Sequence, residues 1–233
     1  MSLACAAHDD TRSPLPRWGL RCAIVLVLAL GLLGCERAPG PEICPRIEPG
    51  DLVFSELRAT QAGSDSFGHY IEIYNASGRT IDLQGVWIHQ TAVDGAEQGV
   101  LIREPLELGP RRYTVIGPGL DELPSWIDYG VGWDISGGDP ATEEYPRELI
   151  KASYPTGFFT IHACDELIDE VFYGVGTLPT AGTLACGNLE APPSAEQNDD
   201  AASGCWCVDA EPSDVPLPGI GLPGTPGRAN RCP

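Results

Sequence analysis

Short runs of β-branched and aromatic residues, separated by turn residues, follow one another along the chain from residue 51 onward. Turn signals such as Asp94-Gly95 and Gly109-Pro110 lie between these runs, and no window of a dozen residues keeps an apolar period of 3.6. Repeated short strands with turn punctuation are typical of an antiparallel β-sandwich. We therefore predict an all-β fold with strands at residues 51–57, 70–74, 81–90, 112–116, 157–163 and 166–173.

Alternation within a run predicts which side chains share a face of the sheet. In residues 70–74, Ile71 and Ile73 lie on one side, and Tyr70, Glu72 and Tyr74 lie on the other.

Two other regions have a different composition. Residues 121–155 scatter Asp, Glu, Gly and Pro and are predicted to form a long loop excursion, with one short strand near residues 148–151. The chain after Cys186 is first acidic and then rich in proline and glycine. We expect it to wrap the sandwich as a tail tied down by disulfides.

The N-terminal residues read as a targeting segment. Arg12, Arg17 and Arg21 precede an apolar run at residues 22–33, which is too short to cross a bilayer as a helix. The sequence Leu-Leu-Gly-Cys that ends at Cys35 resembles a bacterial lipobox. We predict a signal peptide at residues 1–34 and a lipid on the Cys35 sulfur; a secretory signal with a chance cysteine and an uncleaved anchor are the alternatives.

The residues after Cys35 bear on location. Glu36 is not the aspartate that marks inner-membrane retention, which favours the bacterial outer membrane or cell surface. Residues 35–49 are rich in proline and are predicted to be an extended spacer, so the folded domain spans residues 50–233.

Six cysteines remain once Cys5, Cys22 and Cys35 are set aside, and an even number in an exported chain predicts disulfides. Six cysteines allow 15 pairings. Cys44 with Cys232 is the first expectation, because that bridge would close the longest loop. A metal site is disfavoured, since the one close pair, at residues 205 and 207, has no matching pair elsewhere. The disulfide candidates are Cys44, Cys164, Cys186, Cys205, Cys207 and Cys232.

The charge excludes one class of partner. The 233-residue chain has a formal charge of -19, and removing the residues ahead of Cys35 changes it to -20, because three arginines and two aspartates leave. A nucleic-acid binder needs clustered Lys and Arg, whereas Lys151 is the only lysine here. We therefore expect no nucleic-acid partner, and membrane contact through the lipid alone.

Six motifs, taken in order, resemble the lamin-tail domain found in bacterial exported proteins. Tyr70 stands where that family usually has Trp, the loop excursion is longer, and the six cysteines are additions. The motifs are residues 50–57 (GDLVFSEL), 70–75 (YIEIYN), 81–87 (IDLQGVW), 108–113 (LGPRRY), 168–173 (IDEVFY) and 224–230 (GTPGRAN).

The resemblance implies an immunoglobulin-like sandwich, and the residue types themselves suggest mostly structural roles. Trp87 and Trp206 are expected to pack in the core, with stacking on a ligand as the alternative. Glu56 and Glu72 recur at family positions, and we expect them on a solvated face or hydrogen-bonded to a turn backbone.

Catalytic signatures are absent from the sequence: no G-x-S-x-G, P-loop, H-E-x-x-H or EF-hand pattern occurs. His69, His89 and His162 could meet as a site, but the two later histidines fall in strand-like runs, where a hydrogen-bonded or exposed imidazole is commoner. We therefore predict no catalytic residues, no metal site and no cofactor.

Two clusters of oxygen ligands are weak calcium candidates, because neither follows a known ligand spacing. They are Asp134, Asp139, Glu143 and Glu144 in the excursion, and Asn198, Asp199 and Asp200 in the tail. Solvated acidic loops are the simpler interpretation.

Four aromatic residues in the excursion are candidates for stacking on a carbohydrate: Trp126, Tyr129, Trp133 and Tyr145. Covering the end of the sandwich is the alternative, and solvent exposure discriminates between the two.

The function predicted from the sequence is a non-catalytic, membrane-anchored surface lipoprotein that presents a lamin-tail-like sandwich as an interaction or adhesion module. Its ligand would be an unidentified protein or polysaccharide. The alternatives are an accessory module beside a secreted hydrolase or nuclease, and a carbohydrate-binding module, with or without calcium dependence.

Overall fold

A computed structural model describes residues 43–62, 68–118, 124–131, 135–136, 149–217 and 220–233. All of these residues belong to one compact unit, residues 42–233. Fifteen strands and one short helix, α1 (Ala195–Asn198), lie within these ranges. The strands are β1 (Leu52–Arg58), β2 (Tyr70–Asn75), β3 (Ile81–Asp82), β4 (Val86–Ala92), β5 (Glu97–Leu101), β6 (Glu107–Leu108), β7 (Tyr113–Gly117), β8 (Tyr129–Gly130), β9 (Ile135–Ser136), β10 (Gly157–Ala163), β11 (Glu166–Tyr173), β12 (Thr183–Cys186), β13 (Trp206–Asp209), β14 (Pro212–Leu217) and β15 (Ile220–Pro223).

The strands form two main sheets, and the fold is an all-β sandwich, as predicted. The first sheet has the order β13-β12-β1-β2-β7-β8, and the second has the order β11-β10-β4-β5-β9. Within both sheets every pairing is antiparallel except that of β7 with β8. Two short ladders, β3 with β6 and β14 with β15, complete the described strands.

The apolar core lies between the two sheets. Phe54 and Ile73 come from the first sheet, and Ile88, Phe159 and Ile161 come from the second. The rings of Phe54 and Phe159 meet edge to face with centroids 6.1 Å apart. Burial of such side chains contributes roughly 1.5–3 kcal/mol each, so the alternating runs of the sequence hold the two layers together.

The predicted faces of β2 are correct, but both of them are buried. Ile71 and Ile73 join the core between the sheets. Tyr70, Glu72 and Tyr74 lie on the outer side, and each is at most 3% exposed. Other parts of the chain must therefore cover the outer face of the first sheet.

Two predicted strands are wrong. The single strand expected at residues 81–90 is two, β3 and β4, because Gly85 turns the chain with a φ of +93°. A Cβ at Gly85 would lie 2.1 Å from the Ile43 carbonyl oxygen, so only glycine fits this close approach. The strand expected near residues 148–151 is also wrong for its described part: residues 149–151 form no strand, and Leu149 and Ile150 pack into the core.

All six predicted cysteines form disulfides, but the expected Cys44–Cys232 pair is wrong. Cys44 bonds to Cys164, Cys186 to Cys205, and Cys207 to Cys232. The N-terminal stretch passes Gly85, beside the second sheet, whereas the tail end lies against β12 and β13. The cysteines at the two ends of the domain, Cys44 and Cys232, therefore bond to different cysteines. Two disulfides hold the tail.

Three disulfides indicate an oxidising, extracytoplasmic environment. No helix in the described part of the chain has the length and apolar character to cross a membrane.

Candidate functional site

The outer face of the second sheet carries aromatic and imidazole side chains. Along β4, burial alternates strictly, so Val86, Ile88, Gln90 and Ala92 point inward. Trp87, His89 and Thr91 therefore face outward and are partly exposed.

Strand β10 supplies the second row of this face. Phe158 and His162 are partly exposed, and Thr160 between them is 8% exposed. The antiparallel register places Phe158 opposite Thr91, Thr160 opposite His89, and His162 opposite Trp87. Side chains directly opposite each other on one face lie close enough to contact.

The neighbouring strands extend the same face on both sides. On β11, Glu170 lies opposite Thr160, and Phe172 lies opposite Phe158. On β5, Glu97 lies opposite Thr91, and Gly99 lies opposite His89. Glycine has no side chain, which leaves room beside the His89 ring.

These side chains border an open cleft of about 400 Å³, which we call the outer groove. A cleft of 300–1,000 Å³ is the usual size of a small-ligand site. Its lining residues are Trp87, His89, Thr91, Glu97, Phe158, Thr160, His162, Cys164 and Glu170.

Ring contacts connect the aromatic side chains of the outer groove. The Trp87 and His89 rings lie 5.3 Å apart, and the His89 and His162 rings lie 5.5 Å apart. At the other end of the face, Phe158 packs on Phe172 with centroids 5.3 Å apart. Packing of this kind fixes the orientation of each ring.

The polar groups of the groove are also held in place. His89 Nδ1 lies 2.9 Å from Glu97 Oε1, and the Thr91 hydroxyl donates to Glu97 Oε2 at 3.3 Å. Burial and the nearby His89 lower the pKa of His162 below its ordinary value of 6.5. His162 is therefore neutral at pH 7, and a neutral imidazole offers one donor and one acceptor.

The outer face of the first sheet carries a second cluster of polar groups, apart from those of the outer groove. Glu56 and Glu72 lie directly opposite each other on β1 and β2, and both are completely buried. The chain end at residues 224–231, which we call the closing segment, covers them. Glu56 accepts from the Thr225 backbone N–H at 2.9 Å, and Glu72 accepts from the Gly227 N–H at 2.6 Å. The expected hydrogen bond to a turn backbone is confirmed, and the expected solvated face is wrong.

The two clusters differ in what they can do chemically. Both carboxyl groups of the first sheet are already hydrogen-bonded within the protein. The outer groove presents aromatic rings together with imidazole, hydroxyl and carboxylate groups at an open surface. The groove is thus the candidate site for a ligand with both apolar faces and hydroxyl groups.

Two of the four aromatic residues predicted to stack on a carbohydrate, Trp126 and Tyr129, lie within the described residues. Trp126 and Tyr129 are buried, at 7% and 8% exposure, so their expected role as an exposed platform is wrong. Trp126 packs against Tyr70 with centroids 5.6 Å apart, and the Tyr129 hydroxyl accepts from the Arg103 N–H. Trp133 and Tyr145 lie outside the described residues.

The calcium candidates that lie within the described residues, Asn198, Asp199 and Asp200, do not form a metal site. The Asn198 side chain is buried and donates to Asp169 Oδ2 at 2.8 Å, while Asp200 Oδ1 accepts from the Ala202 N–H. Within the described ranges, no three His, Cys, Asp or Glu side chains are grouped as metal ligands. The other candidates, Asp134, Asp139, Glu143 and Glu144, fall outside those ranges, as does Cys35.

The histidine and tryptophan predictions are partly correct. His89 and His162 lie together on the open face, whereas His69 is buried elsewhere, 5% exposed. Trp206 packs against the core, but Trp87 lines the groove, so its expected core position is wrong. Sequence reasoning missed Phe158, Thr160, Glu97 and Glu170. The alternation within residues 86–92 and 157–163 was the available signal, because it sets Trp87, His89, Phe158 and His162 on the polar side of their strands.

No family model matches this sequence, and no curated protein matches it either.

Proposed function

We propose that this protein is an exported, lipid-anchored module that binds polysaccharide of the cell envelope through the outer groove. The single observation that supports the proposal is the groove itself: a row of oriented aromatic rings, flanked by hydrogen-bonding groups, on the open side of a rigid sheet. The lipobox sequence ending at Cys35 and the lamin-tail resemblance support a surface-displayed module with an immunoglobulin-like sandwich.

A polysaccharide fits the chemistry of the groove. One face of a pyranose ring consists mostly of C–H groups, which pack on an indole or phenyl ring, and its hydroxyls need both donors and acceptors. Trp87 and Phe158 offer the rings. The neutral imidazole of His162, the Thr91 hydroxyl and the Glu97 carboxylate offer the polar partners.

The lipid anchor would limit which polysaccharide the groove can reach. Cys164 lines the groove and is bonded to Cys44, nine positions after Cys35. A tether of that length spans at most about 30 Å. The rim of the groove would therefore stay close to the bilayer, and envelope polysaccharide near the membrane is the proposed ligand.

Substitution of Trp87 tests the proposal. We expect Trp87→Ala to weaken binding to purified envelope polysaccharide by about tenfold or more, because the ring supplies stacking area worth at least ~1.4 kcal/mol. The measurement is isothermal calorimetry on the soluble domain, residues 42–233. Leu189→Ala is the matched control, since it removes another exposed apolar side chain, 83% exposed, that does not line the groove. Equal affinity of both variants and the unmodified domain would contradict the proposal.

A further inference from the structure

The closing segment rests on two buried carboxylates that share one site. Glu56 and Glu72 are register partners on β1 and β2, and neither is exposed. Two like charges on facing side chains, both shielded from solvent, repel each other. The hydrogen bonds around the pair show where a proton must lie.

Asn230 fixes the direction of the first hydrogen bond. Its Nδ2 lies 2.9 Å from the Ser55 carbonyl oxygen and 2.7 Å from the Cys186 carbonyl oxygen. Carbonyl oxygens only accept, so the amide nitrogen must face them. Asn230 Oδ1 therefore faces the Thr225 hydroxyl at 2.7 Å, and the hydroxyl must donate to it.

The Thr225 hydroxyl has one proton, which it donates in its hydrogen bond to Asn230 Oδ1. The same hydroxyl oxygen also lies 2.7 Å from Glu56 Oε1. This second contact needs a proton of its own, and only the carboxyl group of Glu56 can supply it. Glu56 Oε2 still accepts from the Tyr70 hydroxyl at 2.5 Å, as the carbonyl oxygen of a neutral acid does.

Glu72 has the opposite surroundings. Its Oε1 accepts from the Ser55 hydroxyl and its Oε2 accepts from the Gly227 N–H, each at 2.6 Å. Both oxygens act as acceptors, which suits an ionised carboxylate. The pair thus holds one proton, on Glu56, and one negative charge, on Glu72.

Other titratable groups lie around the pair. Tyr113 of β7 and Asp128 lie near Glu72, and Asp209 of β13 lies near Glu56. Asp209 is paired with Arg231 at 2.8 Å, and Asp128 accepts from the Val115 N–H. Arg58, two residues beyond Glu56 on β1, donates to the Gly182 carbonyl. None of these contacts replaces the proton between Glu56 and Thr225.

We propose that the closing segment is a pH-sensitive clasp, held shut by the proton on Glu56 and loosened when that proton leaves. Without it, the Thr225 hydroxyl can donate to only one of its two partners, Glu56 or Asn230, and two negative charges face each other beneath the segment. The Cys207–Cys232 bridge keeps the chain end attached, so the expected change is a local opening. An exported protein is exposed to the pH outside the cell, so a change in that pH would change the protonation of Glu56.

The direction of the response follows from the folded-state pKa. Burial raises the pKa of Glu56 from 4.5 to about 7, and burial also raises that of its partner Glu72, so the shared site keeps its proton to a higher pH than a free carboxyl does. The clasp is therefore closed at acidic pH and loosens as the pH rises through about 7.

Amide hydrogen exchange at Thr225 and Gly227 tests the proposal, because these two N–H groups donate directly to the carboxyl pair. After correction for the intrinsic exchange rate, we expect protection to fall by about tenfold or more between about pH 5.5 and pH 8.5. Glu56→Gln cannot ionise, so the change in protection with pH should disappear, although an amide NH2 beside the Thr225 N–H lowers protection equally at every pH. Glu107→Gln, an exposed acidic residue on β6, should keep the original profile.

Two results would overturn the proposal: protection in the unmodified domain that does not change with pH, or a Glu56→Gln variant that keeps the original pH dependence. If Glu56→Gln does not fold, infrared spectroscopy of an Asp169→Asn variant decides, because Asp169 is the other buried carboxyl whose pKa is raised to about 7. In that variant the carbonyl band of a protonated, buried carboxyl must be present at about pH 6 and absent at about pH 8.5. Absence of this band at the lower pH overturns the proposal.

Discussion

The outer faces of the two sheets are built in opposite ways. On the first sheet, the closing segment covers a polar face, and Glu56, Glu72 and Asn230 are at most 4% exposed. On the second sheet, Trp87, His89 and Phe158 border an open groove. The polar groups are thus inside and several of the aromatic groups are at the surface, the reverse of the simplest expectation for a soluble sandwich.

The difference shows which face is used for folding and which is available to a ligand. A buried carboxyl is tolerated only where groups of the same chain satisfy its oxygens, and the closing segment supplies two backbone N–H donors for this. An oriented row of rings at a surface contributes less to folding than it would in the core, so its presence there favours a role in binding. Stability should therefore depend on the first face, and binding on the second.

The largest effect is expected from Asn230→Ala. The substitution leaves the carbonyls of Ser55 and Cys186 without their side-chain donor and the Thr225 hydroxyl without its acceptor. We expect a loss of about 4 kcal/mol in the free energy of unfolding, since each buried unsatisfied group costs ~1–3 kcal/mol. Urea denaturation of the domain measures it.

Thr91→Ala is the matched control on the open face. Its hydroxyl makes one weak contact, with Glu97 at 3.3 Å, so we expect a change of less than about 0.5 kcal/mol. If the two substitutions cost the same free energy, the two faces do not differ as described.

A smaller effect, when Glu56 is taken alone, is expected from pH. Burial raises the pKa of Glu56 from 4.5, and that of Asp169 from 3.8, to about 7 in each case. Both carboxyls then bind more protons in the folded chain than in the unfolded one. The stability that they confer is complete below about pH 4, is lost as the pH rises, and is gone above about pH 7.

Urea denaturation at a series of pH values measures this loss. For Glu56 alone a change in pKa from 4.5 to about 7 corresponds to about 3 kcal/mol. Glu56→Gln should reduce the dependence on pH by about that amount, whereas Glu107→Gln should not. An unfolding free energy that instead rises between pH 4.5 and pH 7.5 would show that these carboxyls are ionised throughout.

Local patterns in the sequence were sufficient to predict the sandwich. Period-two alternation and turn residues predicted the main strands, because a strand that packs against one opposing layer buries every second side chain in it. Strand β5 (Glu97–Leu101) was missed because its sequence, EQGVL, has neither strict alternation nor β-branched enrichment. It forms because β4 presents a partner edge, which is tertiary information.

The candidate site was only partly predictable for a similar reason. Trp87 and His162 were noted separately, yet nothing in the sequence sets β4 beside β10; the register that makes them neighbours depends on the whole sheet. The disulfides show the same limit. Loop length favoured Cys44 with Cys232, but the paths of the two chain ends over different sheets decided the pairing.

A nuclear magnetic resonance titration of the ¹⁵N-labelled domain with envelope polysaccharide tests directly which of the two outer faces binds. If the open face binds and the covered face does not, the amide shifts that change will lie on β4 and β10, around His89 and Thr160, and the signals of Thr225 and Gly227 will stay in place. Shifts centred instead on the closing segment, or saturating polysaccharide that moves no signal on β4 or β10, would contradict the central claim.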